Sequence, residues 1–148
     1  MIVVGVVAWV GRFGVLVESW LNRFRWLGLT LVRGGVSLVF LYFSLVQLKS
    51  PQVYAGFLPG FAAFLPLRPV ALVYLNGLFE VFFGLLLLVG WRTRLAAFLL
   101  GVHLLGITVS IGLTDIGVRD FGLAVATLSV VLSGPDRLCL EFEAPKRD

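Results

Sequence analysis

Three side chains in this sequence can carry or exchange charge where their neighbours are almost wholly apolar: Arg33, Glu80 and His103. Glu80 is the only carboxylate in "YLNGLFEVFFGLLLLVG", residues 74–90, and Asn76 precedes it by about one helical turn. His103 is the one histidine of the chain, a base that titrates near physiological pH. Arg33 cannot discharge and needs acceptors nearby. Together such groups can relay a proton or hold the polar head of a ligand, and they can equally act as a clasp that fixes helix register. A second group, Lys49, Tyr54, Asp115, Arg119 and Asp120, gathers near the ends of apolar stretches. Solvated helix caps account for most charges of that kind.

The composition says what must position these residues. Hydrophobic residues make up 59% of the 148 and charged residues 14%, with a mean hydropathy of +1.03, whereas an ordinary soluble domain is about 25% charged. A membrane span needs roughly 20 mostly apolar residues, and four such stretches are centred near residues 38, 80, 104 and 126. The expected fold is all-α, an integral membrane four-helix bundle preceded by a short amphipathic N-terminal helix. What lies between the spans is too short and apolar to fold alone, so the lipid bilayer is the first partner.

The expected divisions are an interfacial segment 1–25, a four-span domain 26–133 and a cytoplasmic tail 134–148. In the first, Arg12, Glu18, Ser19, Asn22 and Arg25 fall mostly opposite Phe13, Leu16, Trp20 and Leu21, as in a helix lying on the membrane; a fifth span is the alternative. No basic region precedes its apolar run and no small-x-small site follows, which argues against a secretory signal. The spans are placed at about 26–48, 70–90, 95–113 and 118–133. Pro51 stops the first. The connection "PQVYAGFLPGFAAFLPLRPV" carries four prolines and two glycines, so it is expected to dip into the interface rather than form one helix. "GWRTR" makes a tight turn, and Asp115 in "LTDIG" is a candidate cap.

Net charge is +4 and the pI about 9.8. Arg12, Arg23, Arg25, Arg92, Arg94, Arg137, Lys146 and Arg147 fall on one side of this layout and Lys49, Arg68 and Arg119 on the other. Eight against three, with Arg33 inside a span, places both termini in the cytoplasm. These cations mark helix ends and form no stripe with stacking aromatics, so no nucleic-acid partner is expected. The single cysteine, Cys139, closes no intrachain disulfide and provides no thiolate metal site; it is expected as a small residue in the tail.

At helical spacing each span carries one small or polar stripe: Thr30, Arg33, Ser37 and Ser44; Asn76, Gly77, Glu80 and Gly84; His103, Gly106 and Ser110; Asp120, Ala124 and Thr127. Such stripes belong at helix–helix contacts. At 1.5 Å per residue from the cytoplasmic ends, Arg33 lies roughly 10 Å deep, His103 roughly 13 Å and Glu80 roughly 15 Å. Since an unpaired charge at mid-span costs about 2.5 to 3.5 kcal/mol on insertion scales, Arg33, Glu80, His103 and Asn76 are expected to meet inside the bundle.

"SLVFLYFSLVQLKSP", "GLFEVFFGLLLLVGWRTRLAA" with its G-x-x-E-x-x-x-G and G-x-x-T-R patterns, and "GPDRLCLE" together resemble the DoxX/DoxD family of small four-helix membrane proteins, over about residues 28 to 141. The resemblance implies a four-helix bundle in the prokaryotic cytoplasmic membrane, linked through its DoxD members to thiosulfate:quinone oxidoreductase and through DoxX-like chains to oxidoreductase complexes. Arg33, Glu80, Thr93 and Arg94 carry over by motif. Where the family often has Gly-x-x-Lys, this chain has Ser44-Leu45-Val46-Gln47.

Three functions follow as expectations. The first is a membrane subunit of a quinone-linked oxidoreductase, with quinone as the candidate cofactor and a soluble or membrane redox partner, since no haem-ligand pair, flavin motif or cysteine pair is visible. The second is a small proton-coupled transporter or channel using Glu80 and His103, for which a homo-oligomer would widen the path. The third is an anchoring or assembly protein whose polar cluster is purely structural.

Overall fold

The computed structural model describes residues 14–142 apart from Leu16 and Pro59, together with the backbone but not the side chains of Phe61 and Ala63. Four long helices carry it: α1 (Leu27–Lys49), α3 (Pro69–Val89), α4 (Thr93–Ile111) and α5 (Asp115–Ser133), with a short α2 (Pro51–Ala55) and a 3₁₀ turn (Gly60–Phe64) between α1 and α3. They contain 23, 21, 19 and 19 residues, enough to cross a hydrocarbon layer of about 30 Å. All four are apolar enough to do so. Residues 17–22 form a further short helix, where Val17, Trp20, Leu21 and Phe24 share an exposed apolar face. The rest of the expected interfacial helix, residues 1–13 with Arg12 and Phe13, lies outside the described residues.

The ends of the helices follow from local chemistry. Pro51 and Pro69, which lack an N–H, open α2 and α3 at their first positions, where no hydrogen bond is lost. Gly90 closes α3 at φ +74°, a conformation that favours glycine, and the Trp91 N–H donates to the Leu86 carbonyl at 3.0 Å. The cap of α5 is Thr114, whose hydroxyl accepts from the Gly117 N–H at 3.1 Å. Asp115, expected as the cap, is instead the first helical residue, where a carboxylate complements the helix dipole.

The bundle is inside out relative to a soluble protein. Ser37, Ser44, Thr93 and Thr127 are fully buried, while Leu31, Leu38, Leu78, Phe82, Val109 and Leu132 point outward. Hydroxyls can be buried because they donate to their own helix, as Ser37 does to the Arg33 carbonyl and Thr127 to the Leu123 carbonyl, each at 2.7 Å. The most extensive pairings are α1 with α3 and α4 with α5. Gly77 and Gly84 of α3 let α1 approach: a Cβ at Gly77 would come within 2.9 Å of Leu48, and one at Gly84 within 3.3 Å of Leu41. Val36, Phe40, Leu87, Leu100, Leu104 and Val130 form the shared core.

The polar stripes of α1, α3 and α5 face inward as expected, but that of α4 does so only at His103. Its buried side is Thr93, Ala96, Ala97, Leu100, Gly101 and Leu104, while Gly106 and Ser110 are exposed. Ser110 donates to the Gly106 carbonyl at 2.9 Å, so its hydroxyl is satisfied facing lipid. Gly101 makes the close contact, since a Cβ there would lie 2.7 Å from Leu128.

Candidate functional site

Between the helices lies a cavity of about 630 Å³. Val36, Phe40 and Phe43 of α1, Leu72 and Val73 of α3, Leu104 and Ile107 of α4, and Leu123 of α5 make its walls. Tyr54, Phe57, Leu58 and Leu65, from the stretch between α1 and α3, border it at the end of the bundle bearing Gly112. Among the described residues its polar lining is Gln47, Asn76, Glu80 and His103, the pair Arg119 and Asp120, and Tyr54.

Glu80 is the centre of the first group and is almost fully buried. Its neighbour one turn back, Asn76, donates from Nδ2 to Glu80 Oε1 at 3.0 Å and to Gln47 Oε1 at 2.9 Å. Gln47 donates from Nε2 to Glu80 Oε2 at 3.3 Å. His103 reaches in from α4 with Nε2 3.5 Å from Glu80 Oε1 and its ring tilted against Phe79 at 5.0 Å between centroids. That nitrogen is shielded from solvent and makes no hydrogen bond among the described residues. Three of the four residues expected to meet, Glu80, His103 and Asn76, do so.

Arg33 is not among them. Its Nε donates to Asp136 Oδ2 at 2.6 Å and its Nη1 to the carbonyls of Leu87 and Leu88 at 2.8 and 2.5 Å. The expectation failed on register. Gly84 faces Phe40 and Leu41, and Gly77 faces Ser44 and Leu48, so the antiparallel pairing sets Ser44 opposite Glu80 and Arg33 opposite the Gly90 turn. The spans are staggered rather than flush. Side chains lean toward the N-terminus of their own helix, so Arg33 and Glu80, on antiparallel helices, also lean apart.

At this Gly90 end the segment after α5 packs back onto the bundle. Asp136 takes the Thr30 hydroxyl at 2.9 Å besides Arg33. Leu140 and Glu141 donate through their backbone N–H groups to the carbonyls of Val89 and Gly90, each at 3.2 Å, and the Glu141 carboxylate accepts from the backbone N–H groups of Arg92 and Thr93 at 2.9 and 2.7 Å. Burial pushes the Asp136 carboxyl up, but hydrogen bonds from Arg33, the Leu138 N–H and Thr30 outweigh it and leave it below the ordinary range. Glu141 is likewise lowered: burial opposes the shift, and bonds from Thr93 and Arg92 exceed it. Cys139, expected as a tail residue, is buried, with the Thr93 hydroxyl 3.7 Å from its Sγ. Of the motif residues, Arg33, Thr93 and Arg94 therefore belong to this latch, Arg94 lying against Gly134, and Glu80 alone to the cavity.

The second expected group divides as well. Arg119 pairs with the buried Asp120 at 2.8 Å and lies over the Phe43 ring, 5.0 Å from its centroid, which bridges α5 to α1. These two and Tyr54 border the cavity. Lys49 and Asp115 are exposed and do not. Gln47, Asp136 and Glu141 escaped the sequence reading. Gln47 continues the α1 stripe three residues past Ser44, so spacing could have found it; Asp136 follows Gly134-Pro135, where no helical periodicity points anywhere.

Four helices able to cross a bilayer, packed through buried polar stripes around a part-polar cavity, define a multi-pass membrane protein. The DoxX family model matches residues 28–113, more than half of the chain. The chain belongs to the DoxX family. No curated protein and no solved structure matches it.

Proposed function

We propose that this protein is the membrane subunit of a quinone-linked oxidoreductase and that its cavity receives the quinone. The observation that carries this reading is the cavity itself: apolar walls suited to a ring and tail, with a carboxylate, two amides and an imidazole gathered at one side. Ligand sites are commonly apolar clefts with a few convergent polar groups. With one histidine and one cysteine, the chain offers neither a bis-histidine haem pair nor a dithiol, and in this reading the two electrons for each quinone come from a soluble or membrane partner. Two protons must accompany them, and in this reading Glu80 and His103, 3.5 Å apart, pass them. In this reading the Gly90 end faces the cytoplasm of a prokaryotic cell, on the charge asymmetry of the basic residues, and the exposed face of residues 17–24 rests on the bilayer.

The test is to purify the protein in mild detergent, extract it for bound quinone, and add a decyl-tailed benzoquinone while following thermal unfolding. Ligand at a hundredfold over its Kd is expected to add about 2.7 kcal/mol. No extractable quinone together with no stabilisation refutes the proposal. One observation favours a second reading, a proton-coupled transporter: Glu80 and His103 stand 3.5 Å apart inside the bundle. It requires a pH-gradient-driven flux in proteoliposomes that Glu80→Gln abolishes.

A further inference from the structure

The direction of the hydrogen bonds around Glu80 bears on which form of its ligand the cavity holds. Both N–H groups of Asn76 are committed, one to Gln47 and one to Glu80, and one N–H of Gln47 is committed to Glu80. The remaining capacity is mostly that of acceptors: Asn76 Oδ1 and the unused lone pairs of the Glu80 carboxyl. One Gln47 N–H and one imidazole N–H are the only donors left in the group. No arginine or lysine pairs with Glu80 among the described residues; the guanidinium on the cavity wall, Arg119, is held by Asp120 through two of its five N–H groups, at 3.0 and 2.8 Å, away from the Glu80 cluster's own bonds.

Glu80, almost buried, accepts from Asn76 and Gln47 with His103 Nε2 at 3.5 Å, and its two oxygens still have room for a further donor. A quinone head presents two carbonyl oxygens, which a carboxylate repels. A hydroquinone presents two hydroxyls, either of which can donate a charge-assisted bond to it. The apolar walls do not discriminate, because both forms share ring and tail. Resting on the quinone reading above, we infer that the site selects the reduced, hydroxyl-bearing form of its ligand and that Glu80 is the specificity-determining acceptor. The chain then retains the product of a quinone-reducing reaction, or receives it from one, and a quinone-reducing partner must supply it.

The wild-type protein suffices for the main test. Binding of a decyl-tailed benzoquinone, its dithionite-reduced hydroquinone kept anaerobic, and the di-O-methyl ether of that hydroquinone is measured by calorimetry in detergent. The hydroquinone is expected to bind at least about tenfold tighter than the other two, since a site built to accept a hydroxyl discriminates against analogues that lack it. Glu80→Gln, which replaces an acceptor by an N–H donor, is expected to reduce that preference to within about threefold, weakening hydroquinone binding and relieving the repulsion of the quinone carbonyls. Quinone binding as tight as hydroquinone, or tighter, overturns this inference and leaves the proposed function standing. Failure of all three probes to bind refutes both. If Glu80→Gln does not fold, the ether decides: binding equal to that of the hydroquinone overturns the inference.

Discussion

Arg33 and Asp136, 103 residues apart in sequence, form a buried ion pair at 2.6 Å that joins the first long helix to the segment after the last. The same guanidinium donates to the carbonyls of Leu87 and Leu88 at the end of α3, where the last turn of a helix leaves its acceptors without partners. Five residues after Asp136, Glu141 covers the N–H groups that open α4. A cation thus meets the negative end of one helix dipole and a carboxylate the positive end of the next, on either side of one turn.

Replacing Asp136 by Asn should strand the Arg33 charge. Removing one partner of a buried pair costs about 3 to 5 kcal/mol, and both side chains here are 3% exposed. Replacing both residues by leucine should recover a large part of that loss. Thermal unfolding in detergent measures this, and a single variant as stable as wild type would show that the pair does not hold the latch.

Acid should loosen the same end. Asp136 and Glu141 both have folded-state pKa values below their ordinary ones, so the native state binds fewer protons than the unfolded chain. Their contribution is complete above the unfolded values of about 4 and disappears as the pH falls through the folded ones. The melting temperature is expected to stay level from neutral pH to about 5 and to drop below about 4. Glu141→Gln should make that drop shallower, and an equal slope in both proteins would remove Glu141 from the account.

Much of this was legible in the sequence, for reasons that also set its limits. Hydropathy gives the spans because lipid demands long apolar helices, and Glu80 turns inward because lipid rejects a carboxylate. The orientation of α4 was not legible, since alanine and leucine can face either a helix or acyl chains, and His103 and Ser110 drew attention to an edge of the helix. Nor could composition fix the stagger of α1 against α3, which depends on where Gly77 and Gly84 admit Leu48 and Leu41. Hence Asn76 was found beside Glu80, one turn away on the same helix, and Arg33 was not.

Gly90→Ala should disturb the latch from the opposite side. The new methyl would overlap the Cys139 Cα at a backbone φ of +74°, a combination of strain and overlap worth about 2 to 4 kcal/mol. Cys139 is only 7% exposed. Its alkylation by a maleimide should be slow in wild type and at least about tenfold faster in the variant, as local opening becomes easier. Unchanged labelling would mean that the segment is not held by this contact.

Two glycines on α4 should respond in opposite ways to alanine. At Gly101 a Cβ meets Leu128 at 2.7 Å, and at Gly106 nothing lies within 4 Å. Gly101→Ala is expected to cost about 1 to 3 kcal/mol, whereas Gly106→Ala should be neutral or stabilising by up to about 1 kcal/mol. Equal losses of thermal stability would show that the buried side of α4 is assigned wrongly.

The long loop closed by Arg33 and Asp136 also sets an order of events during synthesis. Arg33 is joined to the growing chain 103 residues before Asp136, so its counter-ion is absent while the four long helices are being made. A chain halted before residue 136 could complete all four crossings and still carry an uncompensated cation at the rim, a mark by which unfinished copies differ from finished ones.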